Sequence, residues 1–120
     1  MSLFRHFDSQ TGSIQAIEGT AVRIKGFPDF CFYQTSMTDQ QIHLDAIIDC
    51  PLYRIYENES GLALTSWEYT PLKAITAVRR TFDYRKLTPE KLQSQICKMM
   101  KELKIPAKDV LDLPVQEIPK

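Results

Sequence analysis

The first part of the chain alternates short apolar runs with turn residues. Glycines at positions 12, 19, 26 and 61 separate segments rich in β-branched and aromatic residues, a pattern typical of β-strands. The pattern predicts strands over residues 13–18, 20–25, 29–34, 41–50, 52–57 and 61–69. Several of them should pair antiparallel, because the connections are too short for crossover helices.

The last two predicted strands should form a hairpin through the polar turn at residues 58–61. Alternation of side chains along each strand gives such a hairpin two distinct faces. One face would carry Tyr53, Ile55, Leu62 and Leu64, and the opposite face would carry Arg54, Tyr56, Thr65 and Trp67.

After Trp67 the apolar period changes from strand-like to helical. Thr70 and Pro71 supply an N-cap and a first-position proline, and Thr88 and Pro89 repeat this signal. The apolar stripes that follow are Leu72, Ile75, Val78 and Phe82 in the first predicted helix, and Leu92, Ile96, Met99 and Leu103 in the second. Pro106 should end the second helix, leaving a short helical turn at 107–113 and a flexible tail at 114–120.

Strands followed by two helices predict an α+β fold: a mainly antiparallel sheet of about four to six strands, followed by two C-terminal helices packed on one face. We expect a single domain over 1–120, with a strand-rich part at 1–69 and a two-helix part at 70–105. The composition, 43% hydrophobic and 25% charged, is that of a soluble globular protein.

Targeting and cysteine patterns indicate a cytoplasmic protein with no membrane partner. The opening residues contain no apolar run of signal-peptide length, and no stretch approaches the length of a membrane-spanning helix. Three cysteines, Cys31, Cys50 and Cys97, are widely spaced in apolar surroundings, which predicts buried, reduced thiols.

Formal charges sum to zero, yet they are unevenly distributed along the chain. Residues 1–69 hold four basic and nine acidic side chains, whereas residues 70–108 hold ten basic and three acidic ones. The candidate binding residues that follow from this asymmetry are Lys73, Arg79, Arg80, Tyr84, Arg85, Lys86, Lys98 and Lys101.

This basic region has three interpretations. It could bind a protein of opposite charge, or pair two copies of the chain as a homodimer. It could bind nucleic acid through phosphate contacts within 73–104, with Tyr84 stacking on a base. It could also be the solvated outer face that amphipathic helices require.

Arg54, Tyr56 and Trp67 form a second candidate surface on the far side of the hairpin. Aromatic side chains beside an arginine are a common anchor set for a protein interface. The alternative is that the two helices cover this face, which would place Trp67 in the core.

The best constellation for a metal ion is His43, Asp45 and Asp49, which alternation places on one face of the predicted strand 41–50. His43 and Asp49 would be roughly 20 Å apart at about 3.3 Å per residue, so at most two of the three can share an ion. A hydrated sheet face explains the same residues. The sequence contains no glycine-rich phosphate loop, paired CxxC, HExxH or nucleophile elbow. We therefore expect no catalytic residues, no cofactor and no metal, and a chain that is not an enzyme.

The run LYRIYENESGLALTSWEYTPLKAITAVRR, a hairpin followed by a helix, resembles small domains of bacterial mobile elements and phages. It covers about a quarter of the chain. The resemblance implies an accessory role, such as inhibiting or regulating a host machine by occupying its surface. The leading hypothesis is a non-catalytic protein-interaction or regulatory domain, and the alternative is a nucleic-acid-binding regulator.

Overall fold

A computed structural model of the chain describes residues 2–42, 45 and 50–105, except for the side chains of 39 and 40. Five antiparallel strands form a curled sheet in chain order, a short helix lies between the third and fourth strands, and two long helices follow the sheet. The strands are β1 (Ser2–Asp8), β2 (Ser13–Val22), β3 (Phe32–Thr38), β4 (Pro51–Glu57) and β5 (Leu62–Ala63), and the helices are α1 (Asp39–Ile42), α2 (Pro71–Tyr84) and α3 (Pro89–Leu103). The predicted α+β fold is confirmed.

The first strand, β1, was not predicted from the sequence. All seven of its residues pair with β2, from Ser2 opposite Gly19 to Asp8 opposite Ser13. The intervening turn is an Asx turn, because the Asp8 carboxylate accepts a hydrogen bond from Gln10 N–H at 2.9 Å. Gly12 completes the turn with a φ of +69°, a conformation that glycine adopts without strain.

Strand β2 runs through Gly19 without a break, so the predicted turn at this glycine is wrong. Residues up to Gly19 pair with β1, and Thr20 to Val22 pair with β3. A Cβ at Gly19 would lie 2.9 Å from the Gln34 carbonyl oxygen and 3.1 Å from the Tyr33 ring. Glycine is therefore needed here for close approach between strands and not for a turn.

The prediction of a strand over 41–50 is wrong at its start, because Gln41 and Ile42 end the short helix α1. Thr38 and Gln41 form a capping box: Gln41 N–H donates to Thr38 Oγ1 at 3.3 Å, and Thr38 N–H donates to Gln41 Oε1 at 2.8 Å. Residues 43, 44 and 46–49 of that predicted strand lie outside the described residues.

Strands β4 and β5 form the predicted hairpin, although β5 is much shorter than the predicted 61–69. Tyr56 pairs with Ala63, and Leu64 N–H donates to the Ile55 carbonyl at 2.8 Å. Pairing then resumes between Tyr53 and Glu68, so three residues, 65–67, bulge out opposite Arg54. The two predicted faces are confirmed on β4, since Tyr53 and Ile55 belong to the helix-covered core while Tyr56 belongs to the cluster on the other face.

The curl brings β1 against the turn of this hairpin. Phe7 N–H donates to the Gly61 carbonyl at 3.0 Å, and Arg5 N–H donates to Asn58 Oδ1 at 2.8 Å. Phe4 also stacks on Tyr33 of β3, across the width of β2. Because β1 and β3 meet on this face, it is the inner face of the curl.

Helices α2 and α3 cover the opposite face of the sheet. The main core contains Ile24, Phe27, Phe32 and Ile55 from the sheet side, with Ala74, Val78, Phe82, Leu92 and Ile96 from the helices. Both helices begin where the sequence predicts, because Thr70 and Thr88 cap them. Leu72 is an exception to the predicted stripe, since 73% of its surface is exposed.

No helix within the described residues is long and apolar enough to cross a membrane. The predicted short helical turn at 107–113 and the tail at 114–120 lie outside the described residues.

Candidate functional site

All eight side chains of the predicted basic site are exposed on α2, on the turn after it, or on α3. We call this set the basic helical surface; its members are Lys73, Arg79, Arg80, Tyr84, Arg85, Lys86, Lys98 and Lys101. Its exposure follows from the amphipathic pattern, which turns Ala74, Val78 and Phe82 of α2 toward the sheet.

On α2, three members lie along one line of the helix. Lys73, Arg80 and Tyr84 are spaced by seven and four residues, which returns each to nearly the same side at 3.6 residues per turn. Arg79 lies about 100° around the helix from Arg80. Tyr84 is 89% exposed, so its ring is available for contact.

Ion pairing between described residues neutralises little of this surface. Among residues 2–42, 45 and 50–105, the ion pair formed by its cations is Lys98 with Glu102, at 3.9 Å between Nζ and Oε1. An exposed i,i+4 pair of this kind contributes only about 0.3–0.5 kcal/mol.

Each long helix ends in a lysine with left-handed backbone, Lys86 after α2 at φ 51° and Lys104 after α3 at φ 55°. Both ends are Schellman motifs, in which Leu87 N–H and Ile105 N–H donate to the carbonyls of Phe82 and Met100. Glycine would adopt this backbone with less strain, but a lysine places a cation at the negative end of the helix dipole. The two positions therefore add positive charge at the helix ends.

Four exposed apolar residues near the basic helical surface were not predicted: Leu72, Met99 and Leu103 belong to the predicted core stripes, and Tyr69 ends the predicted strand 61–69. Tyr69 and Leu72 lie exposed at the start of α2, and Met99 and Leu103 are each 39% exposed on α3. A helical wheel could have identified Leu72, since it lies about 160° from the line through Ala74.

The second candidate surface forms a stacked cluster on the inner face of the sheet. The Arg54 guanidinium lies 5.3 Å from the centroid of the Trp67 ring and 5.8 Å from that of Tyr56. Arg54 Nε also donates to the Thr65 carbonyl at 2.6 Å, within the bulge at 65–67. The helices do not cover this face, so the alternative that they bury Trp67 is wrong. Tyr56 is buried and Trp67 half-buried, so a partner here would mainly contact Arg54 and Trp67.

Tyr56 belongs to an aromatic column with Phe4 and Tyr33, and His6 packs edge-on against it at 5.3 Å. Burial lowers the pKa of His6; the negative charge of Asp8 opposes this shift, and the positive charge of Arg54 adds to it. Burial raises the pKa of Tyr56, while the charge of Arg54 and a hydrogen bond with it act the other way. His6 Nδ1 is buried without a hydrogen-bond partner among the described residues. Burial is the main cause of both pKa shifts, as expected for side chains in the core of the inner face.

The candidate metal residues receive no support as a group. Asp45 is exposed, whereas His43 and Asp49 lie outside the described residues. Across residues 2–42, 45 and 50–105, no group of three histidine, cysteine or acidic side chains could hold a metal ion.

The prediction of buried thiols is wrong for two of the three cysteines. Cys31 and Cys97 are exposed, and Cys50 is intermediate. Cys31 precedes β3 rather than lying inside it, and Cys97 is on the outer side of α3. Apolar neighbours in sequence did not imply burial, because neither residue faces the core.

Comparison of the chain with protein-family models, curated proteins and solved structures gives no match.

Proposed function

We propose that this chain is a non-catalytic interaction domain that binds an acidic surface of another protein through the basic helical surface. The proposal rests on the exposure of all eight members of this surface. Within the described residues, the ion pair that they form is the weak one between Lys98 and Glu102. Exposed cations with weak ion pairing of this kind can pair with a partner's carboxylates without first breaking strong ion pairs among the described residues.

Exposed apolar side chains on the same helix favour a protein over nucleic acid as the partner. Leu72 precedes Lys73, and Tyr84 lies one turn after Arg80. Protein interfaces combine aromatic and aliphatic anchors with arginine, whereas a phosphate backbone offers Leu72 nothing to contact.

A domain of this kind acts by occupying its partner's surface, and this makes it a regulator or an inhibitor. The charge asymmetry between sheet and helices would orient the encounter and accelerate association at low salt.

The test is affinity capture from a lysate of the source cell with three forms of the full chain. The helix variant carries Arg79→Glu and Arg80→Glu. The control carries Arg23→Glu and Lys25→Glu, which reverse two exposed cations outside the helices and therefore change the net charge equally. We expect the wild type and the control to capture the same protein, and the helix variant to lose it.

Nuclease treatment of the lysate separates the two kinds of partner. Capture should survive this treatment if the partner is a protein bound directly. Loss of capture after nuclease treatment, or retention of the chain on random duplex DNA that falls steeply with salt, would favour the nucleic-acid-binding alternative. Equal capture by all three forms would contradict a role for the basic helical surface.

A further inference from the structure

A groove of about 200 Å³ lies between the β4–β5 hairpin and the two long helices. Its floor is apolar, and is formed by Leu62, Leu64, Phe82, Leu92, Ile96 and Met99. Met99 remains 39% exposed, so the floor is accessible from solvent. Within residues 2–42, 45 and 50–105, the groove therefore offers solvent-accessible apolar surface beside the basic helical surface.

The polar end of the groove is already satisfied by the hairpin turn. The carboxylate of the buried Glu57 accepts hydrogen bonds from Glu59 N–H at 2.6 Å and Ser60 N–H at 2.8 Å. These bonds commit Glu57 to the turn, so an incoming group would be recognised by the apolar floor and by the rim.

Cations lie along that rim. Arg85 lines the groove, and it also lines a shallower depression that continues past Leu87 to Lys91. Lys86 is exposed beside Arg85 in the turn between the helices, and Glu90 is the carboxylate of the depression. Arg85 and Lys91 outnumber Glu90 along the rim, and Glu57 lies at the polar end of the groove, where it is buried and bound to the turn. The rim itself is therefore net positive by one charge, and it favours an occupant with negative charge flanking its apolar part.

The apolar groove alone, without the more open depression of about 420 Å³ beside it, has a volume that favours side chains over a whole small molecule. Small-molecule sites usually measure about 300–1,000 Å³. A cavity of about 150 Å³ holds a single benzene ring, so this groove fits one or two large apolar side chains of a peptide.

We propose that the groove binds an acidic segment of the partner protein, which inserts one or two large apolar side chains between the hairpin and the helices. This inference rests on the proposed function and locates its binding site at Arg85, Lys91 and Met99. An amphipathic segment laid in a groove is a common mode of peptide recognition.

Two synthetic peptides provide the probe. One contains aspartate and glutamate with leucines at helical spacing, and the other has serine in place of every leucine. Binding of each labelled peptide to the full chain is measured by fluorescence anisotropy at low salt. We expect the leucine peptide to bind at least about tenfold more tightly than the serine peptide, as for a buried anchor.

Met99→Glu and Leu103→Glu form a matched pair of variants. Both residues lie on α3 with 39% exposure, but only Met99 lines the groove. Met99→Glu should remove the preference for leucine, Leu103→Glu should keep it, and both should melt like the wild type. Arg85→Glu should weaken both peptides, because it reverses the charge of the rim.

The contradicting outcomes distinguish the groove from the proposed function. The groove proposal would be overturned by equal binding of both peptides, by equal effects of Met99→Glu and Leu103→Glu, or by no binding of either peptide. In each of these cases, loss of capture in the Arg79/Arg80 variant would still support the proposed function. Tighter binding of a duplex DNA than of either peptide would overturn both. Leucine-selective binding, with capture unaffected by the Arg79/Arg80 variant, would support the groove and contradict the wider basic helical surface.

Discussion

Gly61 lies where the curl of the sheet brings β1 against the hairpin turn. Its φ is +71°, and its carbonyl accepts the hydrogen bond from Phe7 N–H that joins β1 to the hairpin turn. A Cβ at this position would lie 2.6 Å from the Phe7 nitrogen. The atoms that this Cβ would meet, the Phe7 nitrogen and the His6 Cα and carbonyl carbon, belong to the backbone, so they cannot move away as a flexible side chain would.

Gly61→Ala should therefore destabilise the protein much more than Gly12→Ala does. Gly12 has a similar φ of +69°, but an added Cβ there would meet nothing within 4 Å. We expect Gly12→Ala to cost about 1 kcal/mol from left-handed strain alone, and Gly61→Ala to cost about 3 kcal/mol from strain plus overpacking. Urea unfolding of both variants measures the difference. Equal losses would show that β1 and the turn are not in contact in solution.

Among the elements, the two long helices could be predicted because their start signals are local. Thr70 Oγ1 accepts from Lys73 N–H at 3.0 Å, and Thr88 Oγ1 accepts from Lys91 N–H at 3.2 Å. Each cap is specified by residues three positions apart, and a proline follows each capping threonine.

The cap of α2 can be tested with two separate variants that carry the same change, threonine to alanine, at the cap and in the helix interior. Thr70→Ala removes the capping oxygen and should cost about 1 kcal/mol of unfolding free energy. Thr76→Ala, in the interior of the same helix, should be neutral or stabilising by a few tenths of a kcal/mol, since alanine has the higher helix propensity. Thermal and urea unfolding give both values. A Thr70→Ala variant as stable as Thr76→Ala would show that the cap contributes nothing.

The sheet was harder to predict because strand pairing is not local. Nothing within β1 itself indicates that it pairs with β2, and the need for glycine at position 19 comes from Tyr33 and Gln34, which are fourteen and fifteen residues away. The helix α1 was different. Its capping box at Thr38 and Gln41 is a local signal that was not recognised in the sequence, where the alternating pattern over 41–50 predicts a strand.

The candidate site could be predicted only in part, because its charges and helical period are local features of the sequence and its packing is not. Charge counting identifies the cations of α2 and α3, and the helical period predicts that they face outward. Whether the sheet's carboxylates reach them depends on how the layers pack, which one sequence does not specify. The groove at Met99 could not be predicted either, because β5, α2 and α3 form it together.

At the scale of the whole molecule, the chain uses arginine in two opposite ways. Arg5 is 1% exposed, and its Nε donates to the Glu59 carbonyl at 3.1 Å, so it ties β1 to the hairpin turn. Arg79 and Arg80 are exposed on α2. A cation of the first kind serves the fold, whereas cations of the second kind remain available for binding.

Charge reversal should separate these two roles. Arg5→Glu places a carboxylate in a buried site beside the Glu59 carbonyl and should cost at least about 3 kcal/mol. Arg79→Glu with Arg80→Glu should change stability by less than about 0.5 kcal/mol per site, because exposed positions without structural partners tolerate substitution. Urea unfolding at two salt concentrations measures both. A loss above about 1 kcal/mol in the double variant would mean that these arginines are paired within the fold, and the basic helical surface would then lose the accessible charge on which its proposed function depends.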